Sequence, residues 1–432
     1  MSLRSWGRYP KVASQVHTFD QPQNLKHIID THHDLIPWGN GRSYGDSALS
    51  SNIISVKNKD LFLAFEPSTG LLTVEAGVLL GEIIETYVPK GWFLQVTPGT
   101  KFVTVGGAIA SDVHGKNHHL AGCFSESIKQ FSIMLADGEI VSCSKTQMPK
   151  LFKATCGGMG LTGVILSAQI YLKKINSSTI EQTTIKTSNL QQTFDAFEDN
   201  KSAPYSVAWI DCLAKGDKLG KGMVMTGNFA DDGKLDYQPQ KRFDIRIKVP
   251  GFLLNRLTVG AFNWLYYKKA QKGVSQQKVD IDSFFYPLDC IDHWNRIYGK
   301  YGFTQYQFIL PKQQSYQGLE EILTAISASG KGSFLAVLKL YGPANDNYLS
   351  FPLEGYSLAL DFKMYKGLFA LLERLDQIVL KYHGRIYLSK DVRVSETVFE
   401  QGYPHIDTFR QFRKSHHMDS KFQSLQSARI NL

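Results

Sequence analysis

Two glycine-rich stretches, separated by roughly sixty residues, limit what this chain can fold into more than any other feature. The first is Trp38-Gly39-Asn40-Gly41-Arg42-Ser43-Tyr44-Gly45-Asp46. The second is Thr104-Val105-Gly106-Gly107-Ala108-Ile109-Ala110-Ser111-Asp112-Val113-His114-Gly115-Lys116-Asn117-His118-His119. Glycine reaches positive φ and lets the backbone approach a ligand with no Cβ in the way. Successive exposed N–H groups in such loops form concave sites for phosphate oxygens. Each stretch is entered from an apolar, strand-like run and followed by polar residues able to reach a ring. The pair predicts one extended ligand with a diphosphate, a bound flavin dinucleotide.

A third motif tests that reading. Gly158-Met159-Gly160-Leu161-Thr162-Gly163 matches G-x-G-x-x-G letter for letter. The dinucleotide-binding version needs a strand before it and a helix after it. Here a helix-like Met148–Ala154 precedes it and the β-branched Val164-Ile165-Leu166 follows, so the spacing predicts a tight turn packed near the flavin.

The rest of the first half mixes hairpins with helices. Residues 15–36 read as a helix leading into a short strand. Leu61–Phe65 and Leu71–Ala76 read as paired strands, Leu79–Val88 as a helix, and Phe131–Leu135 with Glu139–Cys143 as a hairpin on the Asp137-Gly138 turn. Val164–Leu172 is a further strand. This is α+β and not a βαβ alternation. From about Lys174 the character changes to β-rich runs such as Phe334–Leu338, broken by Ser327–Gly332, which predicts a second domain.

The net charge is +9, and residues 241–272 hold most of it, with eight lysines and arginines against Asp244 alone. Leu254, Leu257, Ala261 and Leu265 fall at helical spacing there, with Trp264, Tyr266 and Tyr267 among them. Two readings stay open: a membrane-surface patch, or a solvated basic loop beside an ordinary core helix. Nucleic-acid binding lacks a basic groove with stacking aromatics. No stretch reaches 18 uninterrupted apolar residues, and the start Met1–Trp6 has no apolar core of signal-peptide length. Five scattered cysteines without metal-ligand spacing predict free thiols and a cytoplasmic protein. His118-His119 lacks a third ligand at suitable spacing, so no metal is expected.

Further stretches complete a recognisable set: Ser5-Trp6-Gly7-Arg8, Thr97-Pro98-Gly99-Thr100, Ala136–Ile140, Gln305-Tyr306-Gln307-Phe308, Lys339–Pro343, Leu349–Pro352 and Gly384–Asp391. With the glycine stretches, they make the chain resemble, nearly end to end, the vanillyl-alcohol oxidase superfamily with its PCMH-type FAD-binding domain. Within it the resemblance is to the decaprenylphosphoryl-ribose oxidase-like group, to which the His114–His119 run is specific. The resemblance implies a two-domain α+β fold with an FAD-binding domain at 1–177, a β-rich substrate domain at 178–384, and a return segment at 385–432 completing the first.

It also implies residue roles. Matching FAD-contacting positions are Gly39, Asn40, Gly41, Arg42, Ser43, Tyr44 and Gly45 in the first loop. Gly99, Thr104, Val105, Gly106, Gly107, Ser111, Asp112, His114, Ile165 and Tyr387 complete that set. Tyr44 stands where many relatives carry a flavin-linking histidine, so the FAD is expected to be non-covalent. Lys390 matches the family's lysine beside the flavin ring, where an ammonium can offset negative charge and orient the substrate oxygen. Tyr44 and His114 join it as expected catalytic groups. Gln305, Gln307, Lys339, Trp209 and Lys390 are expected to bind substrate, with Lys339 meeting its phosphate and Trp209 open between an apolar wall and a buried core tryptophan. Ala359 occupies the place of a pocket cysteine, the point of attack for covalent inhibitors of better-known members.

The activity so implied is oxidation of the 2′-hydroxyl of a polyprenyl-phosphate-linked pentose, such as decaprenylphosphoryl-ribose, to the keto sugar. A separate NAD(P)H-dependent reductase would complete an epimerisation serving cell-wall arabinan. The substrate's lipid raises the membrane reading of 241–272, at the inner face. The alternative is an alditol or aldonolactone oxidase on a soluble sugar.

Overall fold

In the computed structural model, which describes residues 2–245, 255–333 and 335–432, three larger sheets carry the chain, beside the two-stranded pairs Ser2–Leu3 with Val12–Ala13 and Phe243–Asp244 with Ile291–Asp292. Gln15–His17, Asn52–Ser55 and Leu35–Trp38 form a small parallel sheet with Asn52–Ser55 at its centre. The helix Pro22–Thr31 links the first strand to Leu35–Trp38 and buries Leu25, Ile28 and Ile29, one face at i, i+3, i+4. It starts later than the helical reading of 15–36, because Val16 pairs with Ile53 in the sheet. Pro22 sits in the first turn, where its missing N–H has no partner to lose.

The second sheet is antiparallel in the order Ile140–Cys143, Ile128–Met134, Val164–Lys174, Leu71–Glu75, Phe62–Glu66, with Trp92–Leu94 pairing the far end of Val164–Lys174. Helix Pro149–Thr155 precedes the glycine turn at 157–163 and the strand follows it, the reverse of the dinucleotide-binding order. Gly157, Met159 and Gly160 all have positive φ, so the chain reverses there.

The third sheet has eight antiparallel strands: Val274–Asp280, Thr179–Thr187, Gly222–Phe229, Tyr205–Ile210, Ala336–Tyr341, Gly355–Lys363, Phe303–Pro311 and Arg385–Ile386. Tyr306 and Phe308 of Phe303–Pro311 join the core beneath helices Lys312–Ser329 and Leu368–Lys381. The alternate residues Gln305 and Gln307 therefore point to the other face. After Ile386 the chain runs back to the parallel sheet. Leu35 N–H donates to the Lys421 carbonyl at 2.9 Å, and Gln423 N–H donates to the Leu35 carbonyl at 2.9 Å.

Within the basic segment, Arg246, Lys248 and Gly251–Leu254 lie outside the described residues, as does Phe334. The helix Arg256–Lys269 is present, but Leu257, Ala261 and Leu265 face solvent. That removes the reading of this stripe as an ordinary core helix; the helix is held from its other side. No helix among the described residues is long and apolar enough to cross a membrane.

Candidate active site

One cavity of about 860 Å³ runs between the first glycine stretch, the second, and the face of the eight-stranded sheet that carries Gln305 and Gln307. That is near the top of the usual range for ligand pockets, roughly 300–1,000 Å³. Trp38 to Tyr44 lines it from the first stretch, and Thr104, Gly106, Gly107, Ser111 and His114 from the second. Gly99, Ile165 and Tyr387 also face it, with Gly160 and Gly163 of the glycine turn.

Sterics explain the glycines. Gly41 has φ +61°, and a Cβ on it would strike the Trp38 ring. A Cβ on Gly39 would strike Thr104, whose hydroxyl instead accepts the Gly107 N–H at 3.1 Å. The two stretches thus pack against each other as one wall. Asn40 reinforces it by donating to the Phe102 carbonyl at 2.9 Å. The Arg42 guanidinium lies 4.2 Å from the Trp6 ring centroid and 5.0 Å from that of Phe102, and its buried Nε has no protein partner. Bare backbone plus a cation with unspent hydrogen-bonding capacity fits a diphosphate-bearing cofactor.

Three expected FAD contacts do not line the cavity. Gly45 is packed where a Cβ would overlap the Asp391 carbonyl, so it serves the approach of two loops. Val105 is wholly buried in the apolar core. Asp112 is buried and satisfied elsewhere: its carboxylate accepts from Ser125 N–H at 3.1 Å, Asn345 at 2.8 Å, Asn347 at 2.8 Å and the Ser350 hydroxyl at 2.7 Å. Motif membership carried these three into the expected set; in the structure none of them lines the cavity.

Lys390 sits on a turn whose N–H donates to the Tyr387 carbonyl at 3.1 Å, and Tyr387 N–H donates to the Gln307 carbonyl at 2.9 Å. Its Nζ lies 3.7 Å from the centroid of the Tyr44 ring. Tyr44 is pinned by its N–H to the Ser389 carbonyl at 2.9 Å and by the Ser5 hydroxyl on its own carbonyl at 2.8 Å. Burial pushes the Lys390 amine down to about 7; Asp361 pulls it up and Lys339 pushes it further down. It is therefore not a permanent ammonium: near neutrality, protonated and free forms are both populated.

Gln305, Gln307, Lys339, Trp209 and Ala359 all line the cavity. Gln305 Nε2 donates to Asp361 at 2.7 Å, and Gln307 Nε2 reaches His114 Nε2 at 3.3 Å and the Ser357 hydroxyl at 3.3 Å. Burial lowers His114 well below its ordinary value, with Lys339, His118 and Lys390 adding to the effect. A neutral imidazole held by Gln307 is a poor proton acceptor beside Lys390. His118 and His119 are engaged structurally: Gly342 N–H donates to His118 Nδ1 at 3.2 Å, and His119 Nε2 meets the Ala203 carbonyl at 2.9 Å.

Two residues, one lining the cavity and one bound to the lining residue Gln305, carried no role in the sequence reading. Lys116 lines the cavity, donates to the Phe284 carbonyl, and is lowered to about 7 by burial and Lys339. Asp361 stands across from Gln305 in the sheet register and accepts from Tyr298 at 3.1 Å; burial raises it to about 7 against those hydrogen bonds and Lys390. The signal for Asp361 was period two: Ser357, Ala359 and Asp361 share one face of Gly355–Lys363, and Ala359 was already placed there.

Residues 11–144 match a family model described as an FAD binding domain. Over its whole length the chain is 35% identical to decaprenylphosphoryl-beta-D-ribose oxidase from Mycolicibacterium smegmatis, covering 97% of that protein. It is 22% identical to bovine (Bos taurus) L-gulonolactone oxidase, over 87% of this chain and 84% of that one. A D-arabinono-1,4-lactone oxidase from Yarrowia lipolytica matches 34% of this chain and 28% of its own length at 29% identity.

Proposed function

The chain belongs to the decaprenylphosphoryl-β-D-ribose oxidase family of FAD-dependent oxidoreductases, and from that premise we propose that it oxidises the 2′-hydroxyl of a polyprenyl-phosphate-linked pentose to the ketone. The observation that carries this substrate class is a charge imbalance. Lys116, Lys339 and Lys390 are buried against one cavity; of the three only Lys390 feels a carboxylate, Asp361, and that one is itself raised to about 7. A buried cation without a counter-ion is costly. An anionic substrate group supplies the missing charge.

When bound, FAD supplies the hydride acceptor. The chain's residues do the rest. Gln305 and Gln307, fixed by Asp361, His114 and Ser357, hold the sugar hydroxyls. Lys339, lowered by burial only to about 8, keeps most of its charge near neutrality and meets the phosphate. Lys390 Nζ, in its free-amine form, takes the hydroxyl proton as the C–H hydride departs. The ammonium so formed stands where negative charge must be offset. Lys390 thus combines proton acceptor and electrostatic partner, while His114 positions Gln307. A separate NAD(P)H-dependent reductase would return hydride and complete the epimerisation.

Two measurements test this. Anaerobic farnesylphosphoryl-ribose should bleach the yellow protein; colour that persists removes the substrate assignment. Lys390 must be deprotonated and Lys339 protonated, so kcat/KM should peak between about pH 7 and 8, falling as acid protonates Lys390 and as alkali discharges Lys339. Lys339→Met should raise KM for the phosphate-linked sugar and abolish the alkaline limb. An unchanged alkaline limb would remove Lys339 from the phosphate site.

The lactone oxidases act, by name, on uncharged sugar lactones, and this lysine set has no use there. The FAD is held without a covalent bond in this reading: Tyr44 occupies the loop position of the flavin-linking histidine, and no described cysteine lines the cavity. Acid precipitation should leave the yellow colour in the supernatant, whereas colour retained in the pellet would establish a linkage.

A further inference from the structure

The helix Arg256–Lys269 is built inside out. Leu257, Ala261, Trp264, Leu265 and Lys268 follow i, i+4, i+7, i+8, i+11 spacing and make one stripe. In an ordinary surface helix such a stripe faces the core. Here Leu257 is 82% exposed, Leu265 59% and Trp264 54%. The opposite side holds the helix to the protein. Val259 and Asn263 are buried, Asn263 Nδ2 donates to Asp211 at 2.8 Å, and the Tyr267 hydroxyl donates to the Thr187 carbonyl at 3.0 Å. The orientation is therefore fixed by specific contacts, and the apolar stripe points outward because Val259 and the hydrogen-bonded Asn263 and Tyr267 hold the other side.

Three observations identify what covers it. Lys268 lies on the stripe and Lys272 follows the helix, and residues 256–272 contain no aspartate or glutamate, so the face complements an anionic surface. The Lys268 ammonium lies 4.7 Å from the Trp264 ring centroid, an aromatic–cation pairing suited to the headgroup boundary. Tyr266 and Lys269 of the same helix line the active-site cavity, and the Tyr266 ring packs edge-on against Trp209 at 5.0 Å. The helix that presents the exposed stripe thus also lines the cavity, with its other side.

We propose that this stripe docks the protein on an anionic lipid bilayer with the cavity opening beside the headgroups, so that a lipid-linked substrate presents its sugar while its tail stays in the membrane. Docking follows from the helix alone, whereas its coupling to turnover rests on the lipid-linked reading of the substrate. Leu257, Trp264 and Leu265 enter the acyl boundary, and Lys268 and Lys272 meet the headgroups.

The holoenzyme should float with phosphatidylcholine vesicles containing phosphatidylglycerol, and much less with phosphatidylcholine alone. Leu257→Ser/Trp264→Ser/Leu265→Ser should lower the bound fraction at least about tenfold, since each loses most of its apolar transfer energy. Lys268→Glu/Lys272→Glu should remove the preference for the anionic vesicles. The triple variant should oxidise water-soluble farnesylphosphoryl-ribose at the parent rate, and should lose rate only on a long-chain substrate embedded in vesicles. Vesicle binding that is absent in the parent, or unchanged in the triple variant, overturns the docking face. A parent that is dimeric in solution and becomes monomeric in the triple variant also overturns it, because the stripe then belongs to a second copy. Vesicle binding by a protein that oxidises neither substrate would leave docking in place and remove the substrate assignment instead.

Discussion

Lys390→Met is expected to bind FAD as the parent does and to be reduced by substrate about 10²- to 10³-fold more slowly, the usual loss when one preorganised electrostatic partner is removed. The side chain makes its close approach to the Tyr44 ring, and the turn that carries it is held by backbone hydrogen bonds. Its loss therefore leaves the local fold in place. Methionine keeps the apolar stem and removes both the proton acceptor and the charge. Stopped-flow bleaching under anaerobic conditions reads the effect, and flavin fluorescence checks occupancy. Lys390→Arg should not rescue, because a guanidinium stays protonated and cannot take the hydroxyl proton. Parent-like bleaching by either variant would remove Lys390 from the reaction.

Arg429→Met is expected to be the most destabilising single change near the site. Arg429 comes from the last turn before the C-terminus and donates to Asp46 at 2.8 Å and Asp391 at 3.0 Å. One cation thereby ties the end of the first glycine stretch to the residue after Lys390. The two carboxylates are almost wholly buried, their side chains 7% and 2% exposed. Removing a buried partner costs about 3–5 kcal/mol, and the partial exposure of Arg429 itself places the expectation near 3.

The pH dependence follows from the two acids. Burial raises Asp46 to about 6 despite Arg429. Burial also pushes Asp391 upward, but Arg429, Arg393 and the N–H groups of Arg393 and Val394 bring it below its ordinary value. Without Arg429 both would rise. A raised acid destabilises the fold while ionised and is relieved as protonation neutralises it. The loss of thermal stability in Arg429→Met should therefore be greatest near about pH 8 and shrink toward about pH 5. A defect independent of pH would mean that packing, not charge, is what Arg429 provides. Arg429→Lys should recover part of the stability, since an ammonium can reach one carboxylate but not fork between two.

The glycine wall of the cavity was legible in the sequence. Gly39, Gly41, Gly106 and Gly107 announce backbone that must stand bare, a local property written in residue type. Hairpins were equally legible: the Asp137-Gly138 turn with apolar runs on both sides settles Ile128–Met134 against Ile140–Cys143 without help from distant residues. The inverted context of Gly158–Gly163 was legible for the same reason. The register that sets Asp361 across from Gln305, the burial that brings Lys390 to about 7, and the diversion of Asp112 to Asn345, Asn347 and Ser350 were not. Each depends on what a residue far along the chain places beside it. The outward stripe of Arg256–Lys269 shows the limit most directly. Spacing gives a helix its apolar face, but only the partners of Asn263 and Tyr267, supplied by Asp211 and Thr187, decide which way that face turns.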